Sequence, residues 1–297
     1  MADLRAAVPK CAGSIDRQPA PQAGDIHVCA LLPEVETALS TLQCAMAAAE
    51  GFAADICAAH VGFDPKYSFV DAEEQDIQQL RNLFEGAPEA RTAQIKATVD
   101  AFVASHINGP QITWHDDHGD IAANVKLEAY SSRLMVIGRP VHMDAADALH
   151  SALFDAHRLV LVAPRDASSA ERTIGRHIVI GWKPGTPVER AAEAALPWLR
   201  KAEKVSVIWV PKGGKAPYDA SGRQFFERLG IAANVIRLEP NGQSVGAQLL
   251  AETTRLGGDC LLIGAFRHSA LWNALLGGVT HDVLAHAEIP VFMMRAR

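Results

Sequence analysis

An α/β fold built twice over is what this sequence of 297 residues predicts, and three observations predict it. Short apolar runs of strand length alternate with stretches whose apolar residues recur every three or four positions, the period of a half-buried helix. The same order of runs stands on either side of a polar segment at 165–175. In each repeat a helix leads into a similar apolar strand ending in Ile-Gly, LMVIG at 134–138 and CLLIG at 260–264. Strands alternating with helices imply parallel sheets covered by helices on both faces.

The elements follow in order. Residues 26–32 (IHVCALL) form a strand, and Val35, Leu39, Leu42, Met46 and Ala49 give 34–50 the spacing of an amphipathic helix. Gly51 then stands where a helix end needs a residue free to adopt positive φ. Residues 55–61 are a second strand, and a long charged helical region runs from 73 to 106, interrupted at Gly86 and Pro88. A third strand at 111–115, a helix at 121–132, the strand at 134–138, a helix at 145–156 and a fifth strand at 159–163 complete the first repeat. The second repeats this order: a strand at 177–182, a helix opened by Thr186, Pro187 and Glu189 in capping-box order, and a kink or early stop at Pro197. A strand at 205–210, a helix at 224–230, a strand at 234–238 and a turn at Asn241 and Gly242 come next. A helix through Val245, Leu249, Thr253 and Leu256, the strand at 260–264 and a closing strand at 290–294 end the chain.

Composition excludes several classes. The chain is 49% hydrophobic and 21% charged, which rules out wholesale disorder. Its 28 basic against 34 acidic residues give a net charge of −6, the wrong sign for a general nucleic-acid binder. No apolar run reaches the ~18 residues of a membrane span, and the first 25 residues lack the apolar core of an export signal. The five cysteines are widely spaced with no C-x-x-C pair, so neither a disulfide framework nor a thiolate zinc site is expected. Cys29 and Cys260 read as small buried hydrophobes, and a reducing cytoplasm is the expected compartment.

Ligands of such sheets bind at the carboxyl ends of the strands, where strand order reverses. The informative stretch there begins at Gly264 and runs through Arg267 to Gly277, Gly278, Val279 and Thr280, where a helix opens. Glycines admit close approach of a ligand, and the exposed N–H groups of a helix start attract anions. Here the chain resembles the universal stress protein family, whose nucleotide-binding members carry G-x2-G-x9-G-[ST] after the fourth strand, then a short helix and a Pro-Val closing strand. The spacing from Gly264 through Arg267 to Gly277 and Gly278, and the ending AEIPV, carry the likeness. It extends over both repeats. The resemblance implies two tandem five-stranded parallel sandwiches of the Rossmann-like, adenine-nucleotide-hydrolase-like type. They comprise an N-terminal extension 1–25, a degenerate first domain 26–165, a linker 166–175 and a second domain 176–297 with the glycine loop.

By the same resemblance the protein is a binding or signalling module of the stress response, not an enzyme, and forms a homodimer. ATP or AMP is the implied ligand, in the second domain alone, held by Gly264, Arg267, Gly277, Gly278, Val279, Thr280 and Lys183. Arg267 replaces the family's second glycine, Gly278 its hydroxyl residue, and Lys183 the acid that meets the nucleoside. Two readings therefore stand: a nucleotide on this loop, or glycines that only let the loop turn and pack. An enzyme hydrolysing nucleotide phosphates and a nucleotide-free protein scaffold are the alternatives.

The first repeat has no glycine loop after Gly138 and no acid after its first strand until Glu34. His115, Asp116, Asp117, His118 and Asp120 crowd residue types that suit zinc or manganese. So dense a set reads as a solvated turn with acids at the start of the next helix, and no metal is expected. Lys212, Gly213, Gly214 and Lys215 lack the spacing of a P-loop. His268 and Ser269 lack the G-x-S-x-G elbow of a nucleophile, so no catalytic residue is expected.

Overall fold

The computed structural model describes residues 26–63, 72–166, 174–183, 186–211, 221–265 and 278–295. The N-terminal extension, most of the 166–175 linker, Arg267, Gly277, residues 212–215 and the pair His268 and Ser269 lie outside the described residues.

Ten strands form one sheet. The first repeat supplies β1 (Ile26–Leu31), β2 (Ala54–Gly62), β3 (Ile112–His118), β4 (Leu134–Gly138) and β5 (Leu159–Ala163). The second supplies β6 (His177–Trp182), β7 (Lys204–Trp209), β8 (Ala233–Arg237), β9 (Cys260–Ala265) and β10 (Val291–Arg295). Their order is β3-β2-β1-β4-β5-β10-β9-β6-β7-β8, so each repeat has the same 3-2-1-4-5 arrangement. Pairing is parallel throughout except at the centre, where Val291, Phe292 and Met293 lie antiparallel to Val162, Leu161 and Val160.

Among the described residues ten helices cover the sheet: α1 (Ala38–Ala49), α2 (Ala72–Glu85), α3 (Pro88–Ser105), α4 (Ile121–Ser131), α5 (Met143–Phe154), α6 (Thr186–Ala194), α7 (Leu196–Lys201), α8 (Ser221–Arg228), α9 (Val245–Arg255) and α10 (Val279–His286). The period-2 alternation of a strand sorts its side chains between two cores. Val28 and Ala30 join residues of α1, α3, α6 and α8 in one. Cys29 and Leu31 join residues of α4, α5, α9 and α10 in the other. Both cores run through both repeats, and Trp198 ties the halves further: its Nε1–H donates to the Ala48 carbonyl at 2.9 Å.

Local expectations are largely met. Gly51 has φ 72° and Gly242 φ 86°, and α6 gives way to α7 beside Pro197. Two elements differ. The first helix begins at Ala38, not 34, because Glu34 turns its carboxylate onto the start of α5 and Thr37 is the N-cap. The third strand continues past 115 to His118, because His60, Val61 and Gly62 of β2 pair with Asp116, Asp117 and His118. The solvated turn expected there is therefore the charged end of an edge strand. The acid that does start the next helix is Asp120, whose side chain accepts from the Ala123 N–H at 2.7 Å.

Phe292 is fully buried at the central seam, whereas Phe84 is 85% exposed. Phe292→Ala should lower unfolding free energy by about 3–5 kcal/mol and Phe84→Ala by less than about 0.5 kcal/mol, as read from urea denaturation.

Candidate functional site

Strand order reverses between β1 and β4 in the first repeat and between β6 and β9 in the second. The antiparallel seam places these two switch points on opposite edges of the sheet.

At the first, the chain fills its own site. The side chain of Glu34, just beyond β1, turns onto the start of α5. Its carboxylate accepts the Val141 N–H at 3.2 Å, the His142 N–H at 2.8 Å and the Thr37 hydroxyl at 2.9 Å. His142 is the N-cap of α5 and makes no side-chain cap of its own, so Glu34 takes the two backbone donors at and just before the N-cap, where the helix start would attract an anion. Burial nevertheless pushes the Glu34 pKa up, against the pull of those three hydrogen bonds. Gly138 is required by the same arrangement: a Cβ there would stand 2.2 Å from the Thr37 Cβ.

Helix α2 closes over this edge. Arg81 donates to Asp144 of α5 at 2.9 Å, and the other Asp144 oxygen accepts the Phe63 N–H at 3.2 Å. Arg81 also pairs with Glu85 at 3.0 Å, and His142 Nδ1 lies 3.5 Å from Glu85. The hollow left beneath, lined by Pro33, His60, Phe63, His118 and Asp144 among others, measures about 10 Å³, room for roughly one water.

The second edge is built differently. Among the described residues, Gly278 is the N-cap of α10 with no side-chain cap, and a Cβ added to it would meet nothing within 4 Å. Val279 and Thr280 follow in the first turn, with Thr280 buried. Lys183 is exposed at the end of β6. Gly264 has a packing reason as well: a Cβ there would stand 2.7 Å from the Val188 backbone nitrogen at the start of α6. Of the expected set, Gly278, Val279 and Thr280 stand together, Gly264 and Lys183 end the neighbouring strands, and Arg267 and Gly277 fall outside the described residues.

The crowded segment of β3 is divided by strand alternation. Asp116 and His118 face the side of α3, where Asp116 bridges His60 Nδ1 at 2.8 Å and His118 Nε2 at 3.2 Å. The His60 hydrogen bond and nearby imidazole charge hold Asp116 below the usual carboxylate range. His115 faces α4 instead. Its Nδ1 lies 3.1 Å from Cys57 Sγ and 3.0 Å from Glu128 Oε1, contacts that push its pKa up to about 10. Cys29 and Cys57, in register on β1 and β2, complete this second group. Cys29 is therefore more than a buried hydrophobe, whereas Cys260 is fully buried as expected.

No protein-family model matches the sequence, and no curated protein matches it. Solved structures do. A universal stress protein from Archaeoglobus fulgidus DSM 4304 superposes with a TM-score of 0.58 at 14% identity, over 91% of this chain and 96% of that one. The fold is that of a universal stress protein structure. A functionally unknown protein from Pseudomonas aeruginosa PAO1 gives a TM-score of 0.54 at 13% identity, over 91% of this chain and 92% of that one. The universal stress protein fold thus accounts for both repeats, and the filled first edge is a feature of this chain's own residues.

The Arg81–Asp144 pair is buried on both sides. Arg81→Ala should cost about 3 kcal/mol or more by stranding Asp144, measured by urea denaturation. Burial alone would raise the Glu85 pKa, but hydrogen bonding and charge from Arg81 outweigh it and hold the group below 4.5. Folding therefore favours the ionised form, so the Glu85 contribution is present above the unfolded value and lost as pH falls through the folded one. Glu85→Gln should flatten the loss of stability between about pH 5 and pH 3, read from urea midpoints.

Proposed function

We propose that the protein is a universal stress-type binding module of the reducing cytoplasm, not an enzyme, and that its second half takes an adenine nucleotide. One observation carries this reading: the two halves share a fold and strand order, yet differ at the helix start beside the switch point. In the first, Glu34 occupies the backbone donors at Val141 and His142. In the second, the helix start at Gly278 has no side-chain cap among the described residues. A phosphate group of ATP or AMP is the ligand that suits such donors; the proposed set is Gly277, Gly278, Val279 and Thr280, with Arg267 as a guanidinium able to pair with phosphate through two N–H groups. Lys183 supplies charge but no acceptor, so it favours phosphate over recognition of the nucleoside.

Calorimetry with ATP, AMP and GTP tests the reading. The wild-type chain should bind the adenine nucleotides with one site per chain. Gly277→Val should abolish binding by crowding the approach, and Glu36→Gln, at the exposed rim of the first edge, should leave it unchanged. Gly138 makes a poor control, since any side chain there collides with Thr37. Absence of binding would favour the nucleotide-free scaffold, and turnover of ATP would favour the hydrolase. A homodimer is the expected assembly, and light scattering should then give about twice the chain mass of 31.8 kDa.

A further inference from the structure

We propose that the first half binds one zinc-type divalent cation through Cys29, Cys57, His115 and Glu128. The four residues are distant in sequence but converge on one face of the sheet. Cys29 and Cys57 are in-register neighbours on β1 and β2. Thr113 pairs with Cys57, so His115, two positions on, projects from β3 to the same face. Glu128 comes down from α4 to meet them.

The donor atoms lie close to the spacing of a coordination shell, with Cys57 and Glu128 at its centre. Zinc bonds of about 2.0–2.3 Å in a tetrahedron put neighbouring donors about 3.3–3.8 Å apart. Here Cys57 Sγ lies 3.3 Å from Glu128 Oε2 and 3.1 Å from His115 Nδ1. His115 Nδ1 lies 3.0 Å from Glu128 Oε1, and Cys29 Sγ lies 4.0 Å from Glu128 Oε2. The Cys29, Cys57 and Glu128 donors all fall within 4.8 Å of one another. These three form the core of the shell, and His115, held against Cys57 and the other Glu128 oxygen, is the fourth donor that closes in from the β3 edge when the ion binds.

The chemistry of the set selects the ion. Two sulfurs, an imidazole and one carboxylate form a borderline-soft shell that suits zinc and disfavours magnesium or calcium, which demand oxygen. Cys29 and Glu128 are buried, while the His115 side chain is 36% exposed. The ion therefore has an approach from the β3 edge and a closed interior wall. All four ligands sit on strands or on a helix, so the shell is held by the fold itself.

The second cluster, His60, Asp116 and His118, is the internal control. Both Asp116 oxygens there are already taken by the two imidazoles, and no thiol is among its three residues.

The test uses the full chain, reduced and stripped with chelator, titrated with Co²⁺ and then competed with Zn²⁺. One Co²⁺ per chain should bind with a thiolate-to-cobalt charge-transfer band and the visible bands of a tetrahedral site, and Zn²⁺ should bleach both. Cys57→Ser and Cys29→Ser should each halve the charge-transfer intensity and weaken binding about 100-fold, and Glu128→Gln about 10-fold. His118→Ala should change neither spectrum nor affinity. The wild-type spectrum alone decides the matter should a cysteine variant fail to fold. The proposal is overturned if no charge-transfer band develops or if binding survives loss of both cysteines. It is equally overturned if His118→Ala removes binding, or if Cys29 and Cys57 of the purified chain are found joined as a disulfide that excludes metal.

Discussion

The antiparallel seam between β5 and β10 is the contact on which the rest of the molecule depends. Both strands are apolar along their paired residues and buried on both faces, and an exposed strand of that kind would template association with other chains. Pairing them satisfies two edges at once and turns two five-stranded sheets into one of ten. It also fixes the relation between the switch points, because strand direction reverses at the seam. The seam is locked from both faces. On one, Trp198 packs against Phe292 at 5.5 Å and reaches across to α1. On the other, Arg139 of the first repeat donates to the carbonyls of Leu284, Ala285 and Ala287. A guanidinium at the carboxyl end of α10 is favourable for the helix dipole. The helix whose start is the candidate anion site is thus anchored at its far end by the other repeat.

The two repeats show how one architecture holds or fills a site by small changes. A helix start must find partners for its first N–H groups, and a buried start left without them is costly. The first repeat answers with Glu34, a residue local in sequence to β1 but distant from α5, and then seals the place with the Arg81–Asp144 pair. Thr37, which donates to Glu34, packs against Gly138, which explains why a glycine ends β4 where no ligand need approach. In the second repeat the glycine ending β9 has a comparable packing cause against α6, yet among the described residues the N-cap of α10 is a glycine with no side-chain cap, and the acid of its first turn is Asp282. The sense of a glycine is thus read from what its missing Cβ would meet, not from its place in a motif.

Much of the fold was legible because buried parallel strands are written as continuous apolar runs. LMVIG at 134–138 and LVLVA at 159–163 coincide with β4 and β5 to the residue. The reading lost its hold where structure rests on side-chain partners. The end of β3 is His-Asp-Asp-His, a string that propensity assigns to a turn, and it remains a strand because His60 and Glu128 partner its charges. Glu34 sits in a helical spacing, so its turn onto α5 leaves no periodic trace. At the candidate site, the start of α10 and the strand ends were legible from glycines. The filling of the first site was not, since Glu34 and Val141 are 107 residues apart.

The same reasoning applies to the edge strand itself. β3 closes one side of the ten-stranded sheet, where charged side chains protect against pairing with another chain. Charges on an edge strand are ordinarily left to solvent, yet here alternation gives each face a partner: His60 meets Asp116 on one, and Glu128 meets His115 on the other. Partnering fixes the rotamers of His115 and Glu128, so two donors are held in place beside Cys57 without loops to position them. Cys29, one strand further in, is placed by register alone. A device that blocks aggregation at the sheet edge therefore also preorganises a set of four ligands. No spacing motif announces it, because its members come from three strands and a helix.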